Sequence, residues 1–294
     1  GQYTIAGDGN TNYTRCLRMI DTRRNISSGV TQSVSRWTAR YWRHFQRKMI
    51  HLGISEGFHD AAVAVVEDKQ ILFATNIERV TGKKNDKDIA DDYIKELKDT
   101  YDYDKTVFYE NSDIKNVRRQ TYGMAKREAC RPYDIGNIFH HEAHYAAAYF
   151  TAPFIPDSTV VIDAIGEFDT ATIWVNGRKV WSKQYPWSLG LFYSAITKRI
   201  GLQPNEDEYI TMGMAAYGDI KIDMTNEVNQ NCHKGFKRTK WFWHTPEDIA
   251  ASAQAQLESE ILDIFAKARE YGPTVAYGGG AVSYTHLTLP TRLS

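Results

Sequence analysis

Apolar residues recur in short alternating runs over much of the chain, and the runs fall into two similar groups. Ile50–Ser55, Ala61–Val66 and Ile71–Thr75 read as three β-strands, the last two joined by the turn Glu67-Asp68-Lys69. A charged stretch, Lys87 to Thr100, has helical spacing and leads to a strand at Thr106–Tyr109 and a short strand near Ile138. A helix is expected over His141 to Phe150. Strands follow at Thr159–Asp163, Thr170–Val175 and Lys179–Ser182, the last two around Asn176-Gly177, a hairpin turn pair. Helical patterns at Leu189–Ile200, Glu206–Tyr217 and Pro246–Tyr271 precede a last strand, Thr274–Tyr277, which runs into Gly278-Gly279-Gly280.

The two groups form a weak internal repeat. Leu52 to Ala62 and Ile162 to Ala171 each give an apolar strand, a small-residue turn with Gly and Glu, an Asp, and a second strand. In both copies a tight turn begins seven positions after the Asp, Glu67-Asp68 after Asp60 and Asn176-Gly177 after Asp169. Small residues in such a turn let backbone N–H groups approach phosphate oxygens, so two facing copies suggest a nucleotide held between two lobes.

Composition narrows the classes. With 42% hydrophobic and 24% charged residues the chain is globular, and its 36 Lys/Arg balance its 36 Asp/Glu, so no net charge draws it to nucleic acid or membrane. The longest apolar run, Ala61–Val66, is far shorter than the ~20 residues of a membrane span. Cys16, Cys130 and Cys232 are scattered, which suits reduced thiols and a cytoplasmic location and argues against a disulfide scaffold. Residues 1–48 carry nine Lys/Arg against Asp8 and Asp21. This basic leader reads either as a nucleic-acid-binding arm or as upstream or chimeric sequence before Met49, and the second reading is preferred. Residues 283–294, SYTHLTLPTRLS, read as an adapter-like artefact tail, so a second lobe cut short near Val282 is expected. The boundaries expected are therefore 1–48 leader, 49–160 first lobe, 161–282 second lobe and 283–294 tail.

Candidate chemistry centres on His140-His141-Glu142-Ala143-His144. His140 and His144 lie four apart and share one helix face, so they can bind one metal. His141 points roughly 100° away and is expected to pack or bond a neighbour. The glutamate is misplaced for a zincin. Asp163, at the end of a strand, is the best placed third ligand, and the set leaves iron, manganese and zinc open. His59, in the first loop, is a candidate proton carrier. Arg79, Lys83 and Lys84 form a positive cluster suited to phosphate or to a solvated loop. Cys232-His233 and Trp241 to His244 suggest local packing or a substrate-facing insertion and receive no role.

Seven stretches together resemble the N-terminal, Kae1-like domain of the NodU/CmcH carbamoyltransferase family. They are Leu52–Ser55 with His59–Ala62, Glu78–Lys84, His140–Ala148, Val161–Glu167, Ser188–Tyr193, Met212–Gly218 and Gly279–Val282. The chain departs from the family's usual pattern at Asn85, Ile210 and Ala216. The resemblance implies an α/β fold, the duplicated actin/Hsp70/sugar-kinase (RNase H-like) core, which accounts for the repeat. It implies an O-carbamoyltransferase: a YrdC-like domain, expected beyond Val282, makes carbamoyl-adenylate from ATP and carbamoyl phosphate. The present domain then passes the carbamoyl group to a hydroxyl-bearing acceptor. On this resemblance His140, His144 and Asp163 hold a divalent metal, often iron in relatives. His59 deprotonates the acceptor, Lys84 binds phosphate or carbamoyl oxygens, and Ser55, Gly166, Glu167, Gly278, Gly279 and Gly280 line the nucleotide site. Two other readings stand beside it: a Kae1-like tRNA threonylcarbamoyl-transfer protein, and a non-catalytic nucleic-acid-binding protein with a basic arm.

Overall fold

The structure, a computed structural model, describes residues 48–57, 60–127, 131–135 and 138–281. Every strand and helix below belongs to the unit that begins at Ile50. His59 and the basic leader up to residue 47 lie outside the described residues, as do Val282 and the 283–294 tail.

The first sheet is built from β1 (Ile50–Ser55), β2 (Ala62–Glu67), β3 (Gln70–Asn76) and β4 (Lys105–Phe108), in the order β3-β2-β1-β4. The second is built from β5 (Ser158–Ile162), β6 (Asp169–Val175), β7 (Arg178–Gln184) and β8 (Val275–Gly278), in the order β7-β6-β5-β8. In each, two antiparallel hairpins are followed by a fourth strand parallel to the first. The register repeats as well. Glu67 pairs with Gln70 and Val175 with Arg178, closing both second hairpins on two-residue turns. Near each closing pair the ladder slips, between Val65 and Val66 and between Ile173 and Trp174. A bulge at the same place in both copies is strong evidence that the sheets are one unit built twice. This is the duplicated actin/Hsp70/sugar-kinase-like α/β core that the resemblance implies.

The two copies differ in how far the second hairpin turn lies from the Asp. The first copy turns at Asp68-Lys69, with Asp68 at φ 51°, one position later than counting from Asp60 suggests. The second turns at Asn176-Gly177, both at positive φ, the type I′ geometry that Asn-Gly favours.

Helices follow the strands: α1 (Glu78–Thr81), α2 (Asp91–Tyr101), α3 (Ser112–Thr121), α4 (His140–Thr151), α5 (Leu189–Arg199), α6 (Glu208–Ala215), α7 (Thr225–Val228) and α8 (Pro246–Arg269). The strand expected near Ile138 is not one: a single bridge joins Ile135 to Val107. The expected helix at Lys87 begins only at Asp91, because Ile89 is buried in a non-helical segment and Ala90 remains extended at ψ 138°.

Each sheet has its own core. Leu52, Ile54, Val63 and Val65 alternate inward in β1 and β2 and meet Ile77, Leu97 and Phe108. In the second, Val160, Ile162, Ala171 and Ile173 pack with Phe192 and Ile196 of α5 and Leu257, Ile261 and Phe265 of α8. The spacing of that α8 stripe, four residues at a time, is what buries one face of a 24-residue helix. Its start is set by Thr245, whose hydroxyl accepts the Asp248 N–H at 3.1 Å, with Pro246 in the first turn. Among the described residues no helix is long and apolar enough to cross a membrane.

Candidate metal centre

β5 and α4 bring the chemistry together. Asp163 follows the last residue of β5 and His140 opens α4, so a strand end meets a helix start. His140 Nε2 lies 2.7 Å from Asp163 Oδ2, and His144 Nε2 lies 3.1 Å from His140 Nε2. His144 Nε2 is 4.0 Å from the same carboxylate oxygen. One ligand atom from each residue fits within 4.8 Å of the others. Donor atoms held about 2.1 Å from one ion lie roughly 3–3.5 Å apart, so this set fits a divalent cation. Two imidazoles and one carboxylate suit iron, manganese or zinc. The i, i+4 face sharing expected from the sequence is what the structure shows.

Electrostatics tie the three side chains together, pairing an ionised Asp163 with His140. Burial pushes the Asp163 carboxyl up, but the His140 hydrogen bond and the three nearby histidines outweigh it, holding the group well below the usual range. Burial disfavours the charged form of His140, yet the Asp163 hydrogen bond raises it above its ordinary value. Burial, then repulsion from His140, lowers His144. His141 is turned away from the cluster, with its Nδ1 3.0 Å from Thr172 Oγ1, and burial depresses it to about 3. It remains a neutral packing histidine, as its angular position on the helix implies.

The supporting groups are less expected. Glu167 is 4% exposed, and its carboxylate accepts the His140 N–H at 3.1 Å and the Asn111 N–H at 2.6 Å. It therefore joins the start of α4 to the N-cap of α3, two helix N-termini that favour a negative charge. A Cβ on Gly166 would lie 2.9 Å from His141 Cδ2, so glycine is needed there for α4 to approach. Gly166 N–H donates to Asp169 O at 2.9 Å, and Gly280 N–H donates to Asp163 Oδ1 at 3.2 Å. Gly279 sits at φ +101° against Ile162, and a Cβ there would lie 2.2 Å from the Ile162 carbonyl oxygen. Glycine-rich turns expected to face a nucleotide thus surround the His/Asp cluster, and Gly166, Glu167 and Gly280 spend polar groups on the protein itself.

These residues sit inside a chain whose residues 50–129 and 121–271 match the family model described as the carbamoyltransferase N-terminus. The chain belongs to that family. The carbamoyltransferase domain is 30% identical to an uncharacterized protein of Synechocystis sp. over a 217-residue alignment, covering 58% of this chain and 35% of the relative. Two uncharacterized proteins of Methanocaldococcus jannaschii are 26% and 27% identical, covering 37% and 59% of this chain and 21% and 34% of their own lengths. The chain thus spans about a third or less of these relatives. Among solved structures, the activator of the 2-hydroxyisocaproyl-CoA dehydratase from Clostridium difficile with bound ADPNP overlaps with TM-score 0.48 at 14% identity, covering 80% of this chain and 81% of that one. A Ppx/GppA family member from Aquifex aeolicus overlaps with TM-score 0.29 at 12% identity, covering 84% and 100%.

The remaining candidates in the carbamoyltransferase domain are dispersed. Lys84 is exposed, without an ion pair among the described residues, whereas its neighbour Lys83 pairs with Asp86 at 3.3 Å. Ser55 ends β1 opposite Ala62. Next to it is a group the sequence did not disclose. Glu56, 4% exposed, accepts Arg131 Nε at 2.5 Å and Nη2 at 3.0 Å, and Arg131 also reaches Asp91 and the Ile89 carbonyl. Seventy-five residues separate Glu56 from Arg131, so no local spacing announces the pair. Tyr109 packs its ring edge-on against His140 at 5.4 Å, with its hydroxyl raised by burial and by Glu110.

Proposed function

We propose that this domain transfers a carbamoyl group from carbamoyl-adenylate to a hydroxyl of a small-molecule or nucleotide/sugar acceptor, with a divalent metal held by His140, His144 and Asp163. The carrying observation is the convergence of those three ligands in a member of the carbamoyltransferase N-terminal family. Carbamoyl-adenylate is made from ATP and carbamoyl phosphate by a YrdC-like domain. A metal bound here would supply Lewis acidity to an oxygen placed beside it. In the transfer step the acceptor oxygen bonds to the carbamoyl carbon, the bond from that carbon to the adenylate oxygen breaks, and AMP leaves. His59 takes the hydroxyl proton, and the Lys84 ammonium moves against the developing oxyanion. Ser55, at the end of β1, and Gly278 and Gly279, at the end of β8, are the backbone groups assigned to the nucleotide, since Gly166 and Gly280 donate within the protein.

Metal content tests the centre directly. The purified chain, titrated with Fe(II), Mn(II) or Zn(II), is expected to take up one ion, and the paired His140→Ala, His144→Ala variant none. Full occupancy in that variant would overturn the assignment. The mechanism is tested in a protein that carries the YrdC-like domain. There His59→Asn should still release pyrophosphate from ATP and carbamoyl phosphate but fail to carbamoylate the acceptor; transfer at the unmodified rate removes His59 from the step.

A further inference from the structure

A second concentration of unspent charge lies at the far end of α3. Arg118 is 3% exposed, yet its Nε and Nη1 have no hydrogen-bond partner among the described residues. Its guanidinium lies over the Tyr185 ring, 5.7 Å from the centroid. Two acids act on it, Glu110 and Glu167, and both are committed elsewhere: Glu110 to Lys115, Glu167 to the N–H groups of Asn111 and His140. Its charged neighbour Arg119 repels it. A buried guanidinium with orphan donors is costly unless an anion answers it.

Beside Arg118 opens a cavity of about 220 Å³, lined by Tyr122, Met124, Tyr185, Asn231, His233 and Lys234. Tyr122, the C-cap residue of α3, follows Arg118 by four positions. The Tyr122 and Tyr185 rings meet edge-on at 4.5 Å, and His233 stands edge-on to Tyr185 at 6.3 Å. Asn231 braces the wall: its Nδ2 donates to the Tyr185 hydroxyl at 2.9 Å and its Oδ1 accepts the His233 N–H at 3.1 Å. Among the described residues no carboxylate lines the cavity, and Lys234 in its lining has no ion pair. Burial, with Arg118 and Arg119 adding to it, holds the His233 imidazole below its ordinary range. The volume is below the roughly 300 Å³ of sites for drug-sized ligands, so it suits a compact anion or anionic head group and excludes a whole nucleotide. The lining includes none of His140, His144, Asp163 or Glu167.

We infer that this cavity binds the phosphate or carboxylate group of a small molecule, gripped by His233 and Lys234 against the Tyr122–Tyr185 wall with Arg118 behind it. Anion capture here does not depend on carbamoyl transfer at the metal centre. Calorimetric titration of the 294-residue chain in EDTA and low salt tests it, with inorganic phosphate and succinate as separate probes. One-to-one saturable binding of either probe, weakening as NaCl is added, is expected. Phosphate alone, succinate alone or both would identify which anion class the site prefers. His233→Ala and Lys234→Glu, both at exposed positions, should each weaken binding fivefold or more, whereas the paired His140→Ala, His144→Ala variant should bind as wild type does. Absence of saturable binding of both probes overturns the inference, as does a loss below fivefold in both cavity variants.

Discussion

At the scale of single residues, the glycines make the most restrictive demands. Gly218 lies against the start of α8, and a Cβ there would stand 2.1 Å from the Glu247 carbonyl oxygen and 2.6 Å from the Asp248 nitrogen. Both are backbone atoms and cannot rotate aside. Gly218→Ala is therefore expected to cost about 1–3 kcal/mol, read as a fall in the urea midpoint at unchanged slope. Cys232 carries a second expectation, because burial pushes its thiol up to about 12. At pH 8 in the folded chain it should react with a disulfide reagent far more slowly than in urea; equal rates would contradict its burial. Which residues are legible in the sequence follows from the same physics. His140 and His144 can be read because helical geometry fixes the relation of residues four apart. Glu56 with Arg131, and Arg118 with Tyr185, cannot, because only the tertiary fold joins them. His233, given no role from its sequence setting, is placed against Tyr185 by the same long-range packing.

Elements are legible where apolar periodicity is strong. β1 and β2 alternate cleanly, β5 and the middle of β6 are buried at every position, and α8 carries a continuous buried stripe. The hydrophobic pattern does not reveal α3, because Ser112–Thr121 holds few apolar residues; Asn111 starts it by accepting the Ile114 N–H at 3.1 Å. The strand expected near Ile138 reflects an apolar residue without enough neighbours to extend a ladder. At this scale, Leu257→Ala on α8 should cost about 2–5 kcal/mol, since Leu257 is fully buried in the second core. Thr245→Ala should cost about 1 kcal/mol through the lost cap. Both are checked by equilibrium unfolding. The N-terminal end of α8 also carries a pH signature. Lys221, the Asp219 N–H and Thr245 hold the Asp248 carboxyl below its usual range, with Lys221 Nζ 2.8 Å away. A carboxyl lowered on folding stabilises above its unfolded pKa of about 3.9 and loses that contribution as pH falls through the folded value. The stability difference between wild type and Asp248→Asn should thus be present at pH 7 and shrink below about pH 4.

At the scale of the whole described unit, duplication supplies two similar scaffolds and the differences between them create the chemistry. The loop after β1 pins Glu56 to Arg131, whereas the loop after β5 presents Asp163 to α4. Glu167 shows what this asymmetry entails. One carboxylate accepts backbone N–H hydrogen bonds from the start of α3, which follows the first sheet, and from the start of α4, which leads into the second. Any hinge motion that drew those helix ends apart would have to pull on the residue that supplies the first imidazole. Separation of those helix ends and integrity of the centre are then mechanically linked, like a latch whose bolt is also part of the lock. Glu167→Gln, which keeps the shape but removes the charge, should loosen both at once: faster amide hydrogen exchange at Asn111 and His140 together with weaker metal affinity, in a chain that still folds.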